Sequence, residues 1–329
     1  MKVMMLGASE AGKTTFMAAM YSLMSERKVW HIDAWNTGEG ERLKELASNI
    51  KNGQYPARTD TKQEYTFDFR CESDHLFPFT WFDFRGGAIF QSTTDPVSKY
   101  VAQRLKEADA LIVFFDATLL DTEKGEKLWR RIQVLCMNYA VRANVNNSLS
   151  LTIVLTKADL VRYSPELTNR ERSQSLIKAD LAYFHQDVLN TRTGKIIKNF
   201  IENFSKNQYL LGMLSWSAIN KGVCYGIDNP FYNAMWIGLI KEVIAQREHL
   251  ERQREIVEER RDTYQNRSFL VDLWVDWFCS HDKDLERLER EKRNFERREV
   301  ILKRVEKNFK KMKDYLLANN GGGHGYVLF

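Results

Sequence analysis

Lys2-Val3-Met4-Met5-Leu6-Gly7-Ala8-Ser9-Glu10-Ala11-Gly12-Lys13-Thr14-Thr15 opens the chain with an apolar run, then GxxxxGK[ST], then residues at helical spacing. The order strand, Gly-rich turn, helix is what a phosphate-binding loop requires. Successive backbone N–H groups point inward at a polyphosphate, Lys13 can reach the β and γ phosphates, and the Thr14 hydroxyl can hold Mg²⁺. The helix start adds its positive dipole end. At average residue usage the pattern arises by chance in a chain of this length about once in a hundred. Gly7, Ala8, Ser9, Glu10, Ala11, Gly12, Lys13, Thr14 and Thr15 are therefore candidate nucleotide-binding residues.

Outward from this loop, the chain alternates strand and helix patterns. Phe16, Met20, Leu23 and Met24 mark the first crossover helix, and Gly38 to Lys51 reads as an extra helix closed by Asn52-Gly53. Gln63 to Arg70 alternates apolar and polar residues, and Phe77 to Phe82 follows too closely for a crossover helix, so these two strands should pair antiparallel. Ala110 to Phe115, Leu151 to Thr156 and Leu210 to Trp216 are short apolar runs, as expected of strands buried on both faces. Helical patterns near 97–107, 122–142 and 168–206 separate them. The expected fold class is α/β, a six-stranded mainly parallel doubly wound sheet, followed by a long α-helical hairpin or coiled-coil arm.

Two further motifs fall at strand ends. Asp83-Phe84-Arg85-Gly86 matches DxxG, in which Asp83 can hold Mg²⁺ through water and the Gly86 N–H can touch a γ phosphate. Thr156-Lys157-Ala158-Asp159 matches [NT]KxD. A carboxylate at 159 can accept two hydrogen bonds from guanine N1–H and its exocyclic amine, which adenine does not offer. Guanine is the expected base, with GTP or GDP as the bound nucleotide and Mg²⁺ as cofactor. Ser217-Ala218 stands where a backbone N–H could meet the guanine oxygen.

These elements, in this order, resemble the translation-factor-related class of phosphate-loop GTPases, the branch that includes Ras-like and Rab-like proteins. The resemblance covers residues 1 to about 225 and rests on GASEAGKT, DFRG and TKAD. The Asp-Phe-Arg-Gly-Gly wording and the helical arm are similar to the double-GTPase-type families of bacterial conflict systems. The resemblance implies Mg²⁺ dependence and two loops that change shape with the γ phosphate. It further implies a Mg²⁺-binding Thr in the first switch loop. Thr59 and Thr61 both precede the second strand, and Thr61 is favoured. Arg58 then lies where Gα proteins carry an arginine finger in cis, a group worth about 10³ to 10⁵ in rate where it operates; a merely solvated Arg58 weighs equally. Two positions depart from the pattern. Ile219 replaces the more usual Lys or Leu, and Gly87 replaces the Gln that orients the attacking water in Ras. Unaided hydrolysis should be slow, with Arg58, Arg85 or a partner completing the site.

Composition bounds the rest. The 329 residues, 43% hydrophobic, suffice for one large domain with an appendage. The net charge of +5 leaves no reason to expect nucleic acid. Cys71, Cys136, Cys224 and Cys279 lack metal or redox spacing and read as reduced structural thiols. The first strand leaves no room for a signal peptide and no run approaches a bilayer's width, so a cytoplasmic protein is expected.

The expected domains are 1–230, the GTPase domain; 231–317, the helical arm; and 318–329, a Gly-rich flexible tail. From Lys241 to Leu317, 20 basic and 18 acidic residues nearly balance, as in a solvated arm. Val243, Leu250, Val257 and Tyr264 recur every seven residues, as do Leu288, Phe295, Leu302, Phe309 and Leu316, so two helices should form an antiparallel hairpin. The cluster Phe269, Leu270, Trp274, Val275, Trp277 and Phe278 suits packing on protein better than a membrane interface, because Asp272, Asp276 and Asp282 accompany it. Tyr326 to Phe329 reads as a docking peptide or a frayed end. The functional expectation is a GTP-hydrolysing switch with an unidentified effector or activator. Self-association through the arm or the switch face is the other partner expected. The alternatives are a GTP-dependent assembly or membrane-remodelling protein, and a low-turnover nucleotide-binding scaffold in a bacterial conflict system.

Overall fold

The computed structural model describes residues 1–56, 63–84, 96–161, 191–204, 206–207, 209–220, 223–265 and 326–328, together with 290, 293, 296–297, 299–300, 303–304, 306–308 and 310–311. The elements run β1 (Lys2–Gly7), α1 (Lys13–Ser25), β2 (Trp30–Ala34), α2 (Thr37–Lys51), β3 (Gln63–Cys71), β4 (Asp74–Asp83), α3 (Pro96–Glu107) and β5 (Ala110–Asp116). They continue with α4 (Glu123–Ala140), β6 (Leu149–Thr156), α5 (Ala158–Val161), α6 (Arg192–Phe204), β7 (Leu210–Trp216), β8 (Ala218–Asn220), β9 (Val223–Tyr225), α7 (Asp228–Gln265) and β10 (Tyr326–Leu328).

The main sheet has the order β10-β7-β6-β5-β1-β4-β3-β2. Strand β1 pairs parallel with both β4 and β5, and β5, β6 and β7 continue parallel. Strands β3 and β4 pair antiparallel, as their short connection demands. All six expected strands are present, and the sheet gains one more at each edge. Strand β2 pairs antiparallel with β3, and Tyr326–Leu328 pairs antiparallel with Leu214, Met213 and Gly212 of β7. Tyr326–Leu328 of the tail thus adds a strand to the chain's own sheet.

Each face of the sheet buries a distinct set of side chains. On one, Trp129 of α4 sets its ring edge-on to Phe115 of β5 and to Phe200 of α6, within a core that includes Leu111, Val113, Ile153 and Ile197. On the other, α1 places Phe16 5.0 Å from Phe114 and Tyr21 5.5 Å from Phe67. The beginning of α7 covers the same face near the antiparallel pair, with Phe231 5.8 Å from Phe69 and 6.3 Å from Phe79. Asn233 then donates to Ser150 Oγ at 3.0 Å and Thr152 Oγ1 at 2.7 Å, pairing polar groups that would otherwise be buried unbonded.

The chain divides into two compact units, Met1–Gly238 with Lys313–Phe329, and Leu239–Met312. Within the second, the described positions between 290 and 311 are helical, and Arg247 reaches Glu306 at 2.6 Å. The expected bend of the arm and the aromatic cluster at 269–278 lie outside the described residues. Among the described residues no helix is long and apolar enough to cross a membrane.

Phe231, at the start of α7, is fully buried against Phe69 of β3 and Phe79 of β4. Phe231→Ala should cost about 3–5 kcal/mol, the range for truncating a buried Phe, measured as a lower midpoint of denaturant unfolding at unchanged slope.

Candidate functional site

The phosphate loop is shaped by where β1 ends. A Cβ on Gly7 would come 2.6 Å from the carbonyl oxygen of Phe114 on β5, so only glycine lets the two strands meet there. The chain then turns through Glu10 at φ 66° and Gly12 at φ 84°, both left-handed, and α1 begins at once. Gly12 is the N-cap and supplies no side-chain hydrogen bond. The start of this 13-residue helix therefore has no side-chain cap from that residue, and a helix N-terminus of this kind suits an anion.

Lys13 is 7% exposed and folds back along the loop, its Nζ 2.9 Å from the Ala8 carbonyl and 3.1 Å from that of Gly7. Burial holds its ammonium below the usual lysine range, and the charge of Asp83 works in the opposite direction. Asp83 is the last residue of β4, which lies beside β1. Thr14 donates from Oγ1 to Asp83 Oδ2 at 2.8 Å. The other carboxylate oxygen, Oδ1, is buried with no hydrogen-bond partner among the described residues. Burial raises the Asp83 carboxyl above its ordinary value, opposed by Lys13 and by the Thr14 hydrogen bond. A hydroxyl beside a buried carboxylate oxygen with no partner fits a hard divalent cation or its water, since oxygen ligands are what Mg²⁺ takes.

The TKAD turn sews three strand ends together. The Thr156 hydroxyl lies 3.0 Å from the Ala11 carbonyl of the phosphate loop and 3.2 Å from that of Phe115, with one proton to share between them. Lys157 takes a left-handed backbone, φ 56°, and its Nζ lies 2.6 Å from Asp116 Oδ2. Ala158 N donates to the Ser217 carbonyl at 3.2 Å, and Ser217 N to that of Leu155 at 2.8 Å. Ser217 and Ala218 are buried where β7 leaves the sheet.

A cavity of about 440 Å³ lies across these turns, a size that suits a small-molecule ligand. Ser9, Glu10, Gly12, Lys13, Thr14 and Thr15 line it from the phosphate loop, and Thr156, Lys157 and Ser217 line it from the later strand ends. The structure therefore brings together residues that the sequence scatters over more than 200 positions. Asp159 lies in α5, with its side chain outside the described set. Arg58, Thr59, Thr61, Arg85, Gly86 and Gly87 also lie outside the described residues.

Four residues outside the expected set contribute surface to the cavity: Tyr55, Pro56, Phe84 and Ile219. For Tyr55 no motif gave a signal. Phe84 was visible only as a variable position of DxxG, and Ile219 only as a departure from a pattern. Asp116 was missed as well, although a charge closing an all-apolar strand is a signal in itself.

A sequence profile described as Double-GTPase 2 matches residues 2–207. No curated protein matches the chain. Among solved structures, the signal recognition particle receptor SRb-GTP/SRX complex from Chaetomium thermophilum is similar at 14% identity, over 66% of this chain and 90% of that one, with a TM-score of 0.37. The Arl6 BBS3 small GTPase from Trypanosoma brucei, with bound nucleotide analogue GppNp, is similar at 13% identity, over 72% and 95%, with a TM-score of 0.34. The Ski7 GTPase-like domain of S. cerevisiae, bound to GDP and inorganic phosphate, is similar at 16% identity, over 68% and 43%, with a TM-score of 0.31.

Asp83 carries a sign-defined pH signature. Its folded value is raised, so its ionisation disfavours the ligand-free fold at neutral pH. Stability of the nucleotide-free, Mg²⁺-free protein should rise as pH falls through that raised value, and level off below the ordinary aspartate value of about 3.9. Asp83→Asn should remove this segment of the pH profile and raise the neutral-pH unfolding midpoint, while losing Mg²⁺-dependent nucleotide binding.

Proposed function

The chain belongs to the Double-GTPase 2 family, and from that premise we propose that it binds GTP with Mg²⁺ and hydrolyses GTP as a molecular switch. The observation that carries this reading is the buried Asp83 oxygen with no partner among the described residues, set beside the Thr14 hydroxyl at the start of the helix that follows the phosphate loop.

In this proposal the polyphosphate takes up the N–H groups at the start of α1 and draws the Lys13 ammonium away from the Gly7 and Ala8 carbonyls. Thr14 and Asp83 hold Mg²⁺, joined by Thr61 from the first switch loop. Held by these residues, Mg²⁺ would supply positive charge against the negative charge that develops on the phosphates. With no side chain to block it, the Gly86 N–H can donate to the γ phosphate, while Arg58 supplies positive charge as the transferring group leaves. At the other end of the nucleotide, the Asp159 carboxylate accepts two hydrogen bonds from guanine, and Ser217-Ala218 offers backbone to its oxygen. The γ phosphate orders the loops around Thr61 and Gly86, and hydrolysis releases them to an unidentified partner protein. Gly87 provides no side chain to orient water, which supports slow turnover until a partner binds.

Calorimetry in Mg²⁺ should give GTP binding favoured over ATP by about 10⁴, the discrimination expected of a site built around paired hydrogen bonds. Equal binding of the two, or none, overturns the base assignment. Lys13→Ala should abolish binding altogether, and tight binding by that variant contradicts the phosphate-loop assignment.

Arg58→Ala should slow single-turnover phosphate release by about 10³ with GTP affinity nearly unchanged. An unchanged rate removes Arg58 from the reaction. Tight GTP binding by the wild type with no phosphate release at all would instead make the protein a scaffold.

A further inference from the structure

Asp116 has no part in the phosphate chemistry, yet both of its carboxylate oxygens are held. Oδ1 accepts from Thr118 N at 3.0 Å and from Thr118 Oγ1 at 2.6 Å, and Oδ2 accepts from Lys157 Nζ at 2.6 Å. The carboxylate is therefore a fixed anchor, 15% exposed, and Lys157 is the mobile type of side chain fastened to it. Lys157 lines the cavity, next in the chain to Thr156, whose hydroxyl grips the phosphate loop. Its backbone is left-handed at φ 56°, a conformation that residues with a Cβ adopt at a cost and that concentrates at functional sites.

A lysine on an exposed turn samples many rotamers, and ordering it costs entropy each time a ligand needs its stem. A charge-assisted bond to a rigid carboxylate imposes that order before the ligand arrives. With its ammonium drawn toward Asp116, the side chain offers methylene groups to the cavity, an apolar strip suited to the flat face of a purine. We infer that Asp116 is a positioning residue for the base half of the nucleotide: it tethers the Lys157 ammonium so that the lysine stem, rather than its charge, forms the wall on which the base lies. This rests on the guanine-nucleotide reading above and extends it to a residue outside the GxxxxGK[ST], DxxG and [NT]KxD motifs. A purely structural latch between the ends of β5 and β6 makes a different forecast, because its loss would appear in folding stability whether or not Lys157 were present.

The test uses the full chain and the dissociation rate of N-methylanthraniloyl-GDP. Asp116→Asn keeps an acceptor for Thr118 but loses the charge, and should speed dissociation about tenfold, with the unfolding midpoint of the nucleotide-free protein moving by less than about 2 °C. In a Lys157→Met background, where the stem remains and the ammonium is gone, adding Asp116→Asn should change the rate by less than about twofold, the non-additivity of residues that act through one another. An unchanged rate in Asp116→Asn overturns the inference. So does a tenfold effect that persists beside Lys157→Met, or one that comes with a large fall in the unfolding midpoint. Wild-type protein that fails to bind the labelled GDP removes the guanine reading itself, and this shows before any variant is made.

Discussion

A buried ammonium, Lys13, and a buried carboxylate, Asp83, interact beside the phosphate loop, and most of the architecture follows from bringing them there. Asp83 and Lys13 come from different strand and helix ends, separated by 70 positions in the chain. They meet only because β1 lies parallel and adjacent to β4, so that the end of β4 opens beside the loop leaving β1. Taking two charges out of water is expensive, and their mutual attraction recovers only part of that cost. The remainder is visible in the directions of their ionisation, with Asp83 raised and Lys13 lowered by burial. A polyphosphate and a divalent cation are the ligands that would relieve both, one charge for each.

The cavity's other side is built by hydrogen bonds between backbone and short polar side chains, without buried charge. Thr156 reaches the phosphate loop, and Ser217 exchanges backbone bonds with the turn that carries Lys157. The two halves are thus joined directly, Thr156 contacting the Ala11 and Phe115 carbonyls and its turn bonding to Ser217. The central strands beneath the site are largely covered, β6 being buried along its whole length. A rigid sheet carrying irregular turns at one edge is the general arrangement by which α/β folds present ligand sites at the carboxyl ends of their strands.

Much of this is legible in the sequence. The phosphate loop announces itself through two glycines at a fixed spacing, because close strand approach at Gly7 and a left-handed turn at Gly12 admit few other residues. The buried strands announce themselves as apolar runs, and the alternation of β3 reports one covered and one wet face. Strand β2 escaped notice since five residues, Trp30 to Ala34, contain too little alternation to rise above a connecting segment. The tail strand β10 escaped for a different reason: a strand of three residues has no independent signature, and only the unpaired edge of β7 gives it a place.

From the sequence alone came the phosphate loop, the order of the strands' chemistry and the expected base, because each depends on a few residue types at short spacing. The floor of the site was decided by tertiary structure. Which oxygen of Asp83 is left without a partner, and that Asp116 rather than solvent receives the Lys157 ammonium, depend on distances between strand ends far apart in the chain. Sequence records the groups that can make such contacts, whereas burial and adjacency, which determine their strength, exist only once the sheet has closed around them.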